Sequence, residues 1–129
     1  MTLHESIALP NGLRLEIWDC SRPIASDTFK VEMVAQAEVE FLPAYFSEKA
    51  RYDKLIKTLG KKGLYEFRKV RSFVKERERN GVFQELLAAF KEHTLPYVSL
   101  DEFPRRFSRA KFRDIEQNWY QYVPPDDEG

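Results

Sequence analysis

Residues Phe29 to Phe41 alternate with a period of two. Val31, Met33, Ala35, Ala37, Val39 and Phe41 occupy one side of that period, and Lys30, Glu32, Val34, Gln36, Glu38 and Glu40 the other. One side is wholly apolar and the other carries a single apolar residue, Val34, which is the pattern of a half-buried antiparallel strand. A helix would scatter the same residues around its circumference. At about 3.3 Å per residue the strand would span roughly 40 Å, so a bend or bulge is expected in it. The rest of the chain is expected to pack on its apolar face.

The flanking segments extend this into a meander. Leu3 to Leu9 reads as a first strand. Asn11-Gly12 then suits a two-residue type I′ turn, and Leu13, Leu15 and Ile17 alternate with Arg14, Glu16 and Trp18 in a returning strand. Cys20 to Thr28, with Ser21, Pro23, Ser26 and Asp27, reads as a loop. After Pro43, Ser47 is the expected N-cap of a helix whose buried stripe is Tyr52, Leu55, Ile56 and Leu59, with Gly60 closing it and Lys61 to Gly63 forming a basic turn. Leu64 to Val74 fits either a helix or a strand. Its β-branched and aromatic content favours a fourth strand, with Tyr65, Phe67 and Phe73 on one face. A helix is expected from Glu76, Glu78 or Asn80 to His93, carrying Val82, Phe83, Leu86, Leu87 and Phe90, with Gly81 weakening its start. Leu95 to Pro104 reads as a loop. Ser108 is placed at the start of a last helix with the stripe Phe112, Ile115, Trp119 and Tyr122, ended by Pro124-Pro125. The fold class expected is α+β, an antiparallel sheet of three to four strands packed on one face by about three helices. Residues 1–123 would form a single domain and 124–129 a flexible acidic tail.

Size and composition agree with one globular domain: 129 residues, 43% apolar and 14% aromatic. The lone cysteine, Cys20, cannot form an internal disulfide, which excludes an exported disulfide scaffold. No apolar run is long enough to span a bilayer, and Met1 to Pro10 lacks the pattern of a signal peptide, so a cytoplasmic protein is expected.

Net charge is zero but unevenly spread. Residues 1–46 carry three basic and seven acidic side chains, 47–80 twelve and five, and 81–129 six and nine. The plain reading of the central excess is a solvated lysine-rich surface; the functional one is an anion-binding face. Arg68, Lys69, Arg71, Lys75, Arg77 and Arg79 interleave with Tyr65, Phe67 and Phe73, and Arg105, Arg106, Arg109, Lys111 and Arg113 surround Phe107. Arginine beside aromatic rings suits phosphate contact with stacking. Arg68 and Arg71 could equally pair with glutamates of the 29–41 strand, Glu32, Glu38 and Glu40, which would neutralise part of the excess inside the sheet.

Nucleophilic chemistry would centre on Asp19-Cys20-Ser21-Arg22, but a nucleophile needs a neighbouring base, and His4 and His93 are distant in sequence. A zinc site would have to recruit Cys20, both histidines and a carboxylate without the short paired spacings such sites use. No Gly-rich phosphate loop, His-Glu-x-x-His helix or Gly-x-Ser-x-Gly elbow is present. No cofactor or metal is expected.

Two stretches, Leu9-Pro10-Asn11-Gly12-Leu13 through Trp18-Asp19-Cys20-Ser21-Arg22-Pro23, and Tyr65-Glu66 through Val70-Arg71-Ser72-Phe73-Val74, resemble a small family of uncharacterised bacterial proteins. The resemblance implies no activity and favours the strand over 64–74. The functional expectation is a non-enzymatic binding or regulatory protein for an anionic ligand or protein, with Arg68, Arg71, Arg105, Arg106 and Arg109 as candidate anion-binding residues. Nucleic acid is not the favoured partner, no membrane span is expected, and a homodimer stays open. The alternative is a small enzyme with a pocket near Cys20 and Asp19.

Overall fold

The computed structural model describes residues 1–122; Pro124-Pro125 and the expected tail at 124–129 lie outside them. The chain is α+β, as expected. Its antiparallel sheet has the strands β1 (Thr2–Ala8), β2 (Arg14–Asp19), β3 (Arg22–Ala25), β4 (Thr28–Glu40) and β5 (Lys62–Lys75), and its helices are α1 (Lys49–Leu59), α2 (Arg79–His93), α3 (Leu95–Val98) and α4 (Phe103–Gln117). Two compact units are present, one of Met1–Ala37 with Tyr65–Asp101, the other of Glu38–Leu64 with the residues from Glu102 onward. Among the described residues no helix is long and apolar enough to cross a membrane.

In the first unit β1 and β2 form a hairpin, but its turn is not the expected type I′. Leu9 N–H donates to Leu13 O at 2.8 Å and Gly12 N–H to Leu9 O at 3.0 Å, enclosing a three-residue loop. Only Gly12 takes a positive φ, 93°, as in a turn followed by a left-handed residue. Pro10 sets the turn with its fixed φ. The Asn11 amide, freed from left-handed duty, donates to Val98 O and Leu100 O at 2.8 and 2.9 Å.

The expected loop at Cys20 to Thr28 is a second correction, because it contains β3. Asp19 pairs with Met33 and Arg22 with Lys30, so β2 and β3 keep one register against β4. Between them Cys20 N–H donates to Glu32 O at 2.9 Å, and the Ser21 hydroxyl accepts the Glu32 N–H at 3.1 Å. A side chain thus stands in for the ladder where the strand breaks. The pairing of β1 with β2 ends at Thr2 and Asp19, so Pro23 lies on an open edge, where its missing N–H does no harm. Against β2 and β3 the register of β4 is unbroken from Phe29 to Gln36; the extra residues sit in β1, between Leu3 and Glu5, and in β3, between Pro23 and Ala25.

Strand β4 is not half-buried throughout. Val31 to Ala35 are all buried, Glu32 being 8% exposed and Val34 fully enclosed. Val34 lies directly opposite Trp18, and Glu32 is ion-paired with Arg68 of β5, so both faces are covered. The apolar face carries α2: Phe90 meets Phe67 with ring centres 5.0 Å apart, Phe83 meets His4 at 5.0 Å, and Lys91 binds Glu5 at 2.9 Å. The expected loop at Leu95 begins instead with α3, whose Val98 is fully buried. Pro96 fits there because the first helical turn needs no N–H from it.

Strand β5 confirms the strand reading of 64–74 but corrects its face. Tyr65 and Phe67 are half-buried, whereas Phe73 is 82% exposed and Val74 is buried. Phe73 takes a φ of 59°, and one residue out of extended geometry flips every side chain after it. Glu76 N–H still donates to Asp27 O at 2.9 Å beyond the irregularity.

In the second unit, Phe41 N–H donates to Lys61 O at 2.9 Å, and β5 begins at Lys62, where a turn was expected. The α1 stripe is as expected, with Leu55 buried, and Gly60 closes the helix at φ 87°. The cap position belongs to Glu48 rather than Ser47. Helix α4 starts at Phe103, not at Ser108, because Pro104 is tolerated in a first turn. Ser108 is instead fully buried, its hydroxyl donating to Pro104 O at 2.8 Å. The core is Phe41, Leu55, Phe112 and Ile115. Trp119, expected in the buried stripe, lies beyond the helix end and is 44% exposed, with Lys54 Nζ 4.7 Å from its ring centre.

Candidate anion site

A cleft of about 330 Å³ opens in the second unit, lined by Phe46, Ser47, Arg51, Arg109, Phe112, Arg113 and Glu116. Its construction follows from helix geometry. Ser108, Phe112 and Ile115 turn inward on α4, which leaves Arg109 and Arg113, one turn apart, flanking Phe112 on the exposed side. On α1, Leu55 points inward and Arg51, four residues earlier, reaches the cleft. Phe46 and Phe112 meet edge to face at 6.0 Å beneath the arginines.

The three guanidinium groups are held differently. Arg109 Nε donates to Tyr45 O at 2.8 Å, which orients the group. Its terminal amino groups have no partner among the described residues. Arg51 pairs with Glu48 at 2.9 Å, and its guanidinium carbon stands 5.8 Å from the Phe112 ring centre. Arg113 has no hydrogen-bonding or ion-pairing partner among the described residues. Glu116 is the acid in the lining and Glu48 offsets Arg51, so the cleft keeps an excess of one positive charge over an apolar floor. Planar guanidinium forks match the oxygens of a tetrahedral anion, and partial desolvation strengthens the attraction. The positive end of the α1 dipole adds to the same field.

Of the arginines expected from sequence, Arg109 is in this cleft. Arg105 lies one turn before it on α4 and does not line the cleft, and Arg106 is paired with Glu102 at 2.8 Å. Arg68 and Arg71 belong to the first unit. Arg68 is bound by Glu32 and Glu66, and this ion pair raises its pKa further. The expected pairing with a β4 glutamate is therefore present, through Glu32 rather than Glu38 or Glu40. Arg71 instead reaches Glu85 of α2 at 3.3 Å. Sequence reasoning missed Arg51 and Ser47. The available signal was the spacing of Arg109 and Arg113 around Phe112, which fixes a basic edge on α4 but names no partner helix.

Around Cys20 the chemistry is unfavourable for a nucleophile. Burial pushes the thiol up, and the neighbouring Glu32 carboxylate adds to this against the pull of Arg68. Asp19 accepts the Ser21 N–H at 2.9 Å, which commits a carboxylate oxygen to the backbone. His4 packs on Phe83, and His93 lies exposed beside Glu92 at 3.8 Å. Among the described residues no group of three or more His, Cys, Asp or Glu side chains could hold a metal ion.

Set against protein-family models, curated proteins and solved structures, the chain matches none of them.

Proposed function

We propose that the chain is a non-enzymatic binding module that takes an anionic group of the phosphate class, carried by a ligand or protein partner, in the cleft between α1 and α4. The observation that supports it is the convergence of Arg51, Arg109 and Arg113 over Phe46 and Phe112, with Arg113 unpaired among the described residues. The cleft admits one such group rather than a run of phosphates, which favours a discrete phosphorylated partner over nucleic acid. A cytoplasmic setting, where such partners are abundant, is part of the reading.

Calorimetric titration with inorganic phosphate and with phosphoserine at low and moderate salt tests it. Binding should weaken with salt, and Arg113→Ala and Arg109→Ala should each weaken it about tenfold or more, as expected for losing a charge-assisted hydrogen bond. No heat with either anion at low salt, or binding indifferent to Arg113→Ala, would refute the proposal.

A further inference from the structure

A second cleft, in the first unit, has different chemistry. It measures about 540 Å³, within the range of small-molecule sites, and lies between β5 and α2. Its floor is apolar: Phe67 and Phe90 are in ring contact, Leu86 is 8% exposed, and Ala89 stands open beside them. Its rim is cationic. Lys69 Nζ stands 6.0 Å from the Phe67 ring centre and has no ion-pair partner among the described residues. Arg71 makes only the 3.3 Å contact to Glu85, with 49% of its side chain exposed. No acid is among the residues lining the cleft.

We infer that this cleft binds a small amphipathic carboxylate, with its apolar body along Phe67, Leu86 and Ala89 and its head at Lys69 and Arg71. The apolar floor exceeds what a bare anion needs, and the rim suits a single negative charge rather than a phosphate dianion. An apolar floor open between a strand and a helix and rimmed by cations is stabilised by a ligand of matching polarity. The inference uses residues of the first unit alone and stands apart from the α1–α4 cleft.

A calorimetric series from hexanoate to dodecanoate, kept below micellar concentrations, tests it, with decyltrimethylammonium as the control of opposite charge. Affinity should rise about fourfold for each methylene buried. Lys69→Glu should weaken decanoate at least tenfold, and Ala89→Trp, at an exposed helix position, should abolish binding by filling the cleft. Both variants should keep the wild-type circular dichroism and melting temperature. An affinity flat with chain length, equal binding of decyltrimethylammonium, or undiminished decanoate binding by folded Ala89→Trp would overturn the inference.

Discussion

Gly63 shows how a single atom can be decisive. A Cβ there would lie 2.6 Å from Phe41 Cζ and 2.9 Å from Phe107 Cε1, and ring carbons held in a stacked pair have little room to give. Gly63→Ala is therefore expected to destabilise the fold by about 1–3 kcal/mol in urea denaturation, as overpacking does. Asn11→Ala should lower stability by about 1 kcal/mol, because it removes a part-buried and an exposed hydrogen bond to backbone carbonyls. The titratable groups make a pH-dependent prediction. Burial raises the Cys20 thiol above its ordinary 9.0, burial raises Tyr65 above 10.0, and the hydrogen bond to Asp114 raises Tyr122 above 10.0. Each group holds its proton more tightly in the folded chain, so the unfolded chain releases protons first as pH rises. The contribution of these groups is complete below their ordinary values and is lost as pH climbs through the folded ones. Melting temperature should fall from about pH 9 upward, and Tyr122→Phe should flatten the decline. A melting temperature level across that range would contradict the assignment. Asn-Gly marked the turn in the sequence, yet Asn11 takes its role from the Val98 and Leu100 carbonyls far along the chain, which no local pattern encodes.

Strands and helices were legible where apolar spacing was regular. Alternation in β4 and the stripes of α1 and α2 give the correct elements because each needs one buried side, and that side is written into neighbouring residues. Composition misled where tertiary pairing prevailed. Ser21 and Pro23 look like loop residues, but one supplies a hydroxyl to the ladder and the other sits on an open edge. Phe73 is the clearest case. An L-residue in the left-handed region is strained, and an exposed phenyl returns little burial energy. Phe73→Asn, which tolerates this geometry, should raise stability by about 0.5–1 kcal/mol, and Phe73→Val, whose branched Cβ opposes it, should lower stability by about 1 kcal/mol or more. Equal denaturation midpoints for the two variants would show that the irregularity stores no strain.

For the molecule as a whole, zero net charge with a pI near 6.8 leaves little mutual repulsion near neutral pH. Light scattering should show solubility lowest near pH 6.8 and improving at pH 8.5, because like charge keeps chains apart. The uneven charge along the chain resolves into separate arrangements. Arg68 is neutralised by Glu32 and Glu66, Arg71 keeps one exposed 3.3 Å contact to Glu85, and Arg51, Arg109 and Arg113 gather on the cleft between α1 and α4. Local order follows from residues a few positions apart, so the long strand from Thr28 to Glu40, the helical stripes and the α+β class could be read directly from the sequence. Convergence is different. Arg51 and Arg113 line one cleft, and Lys69 and Ala89 another, only because packing brings remote segments together, and the energy that selects this packing is spread over apolar contacts that carry no mark of the charges they place.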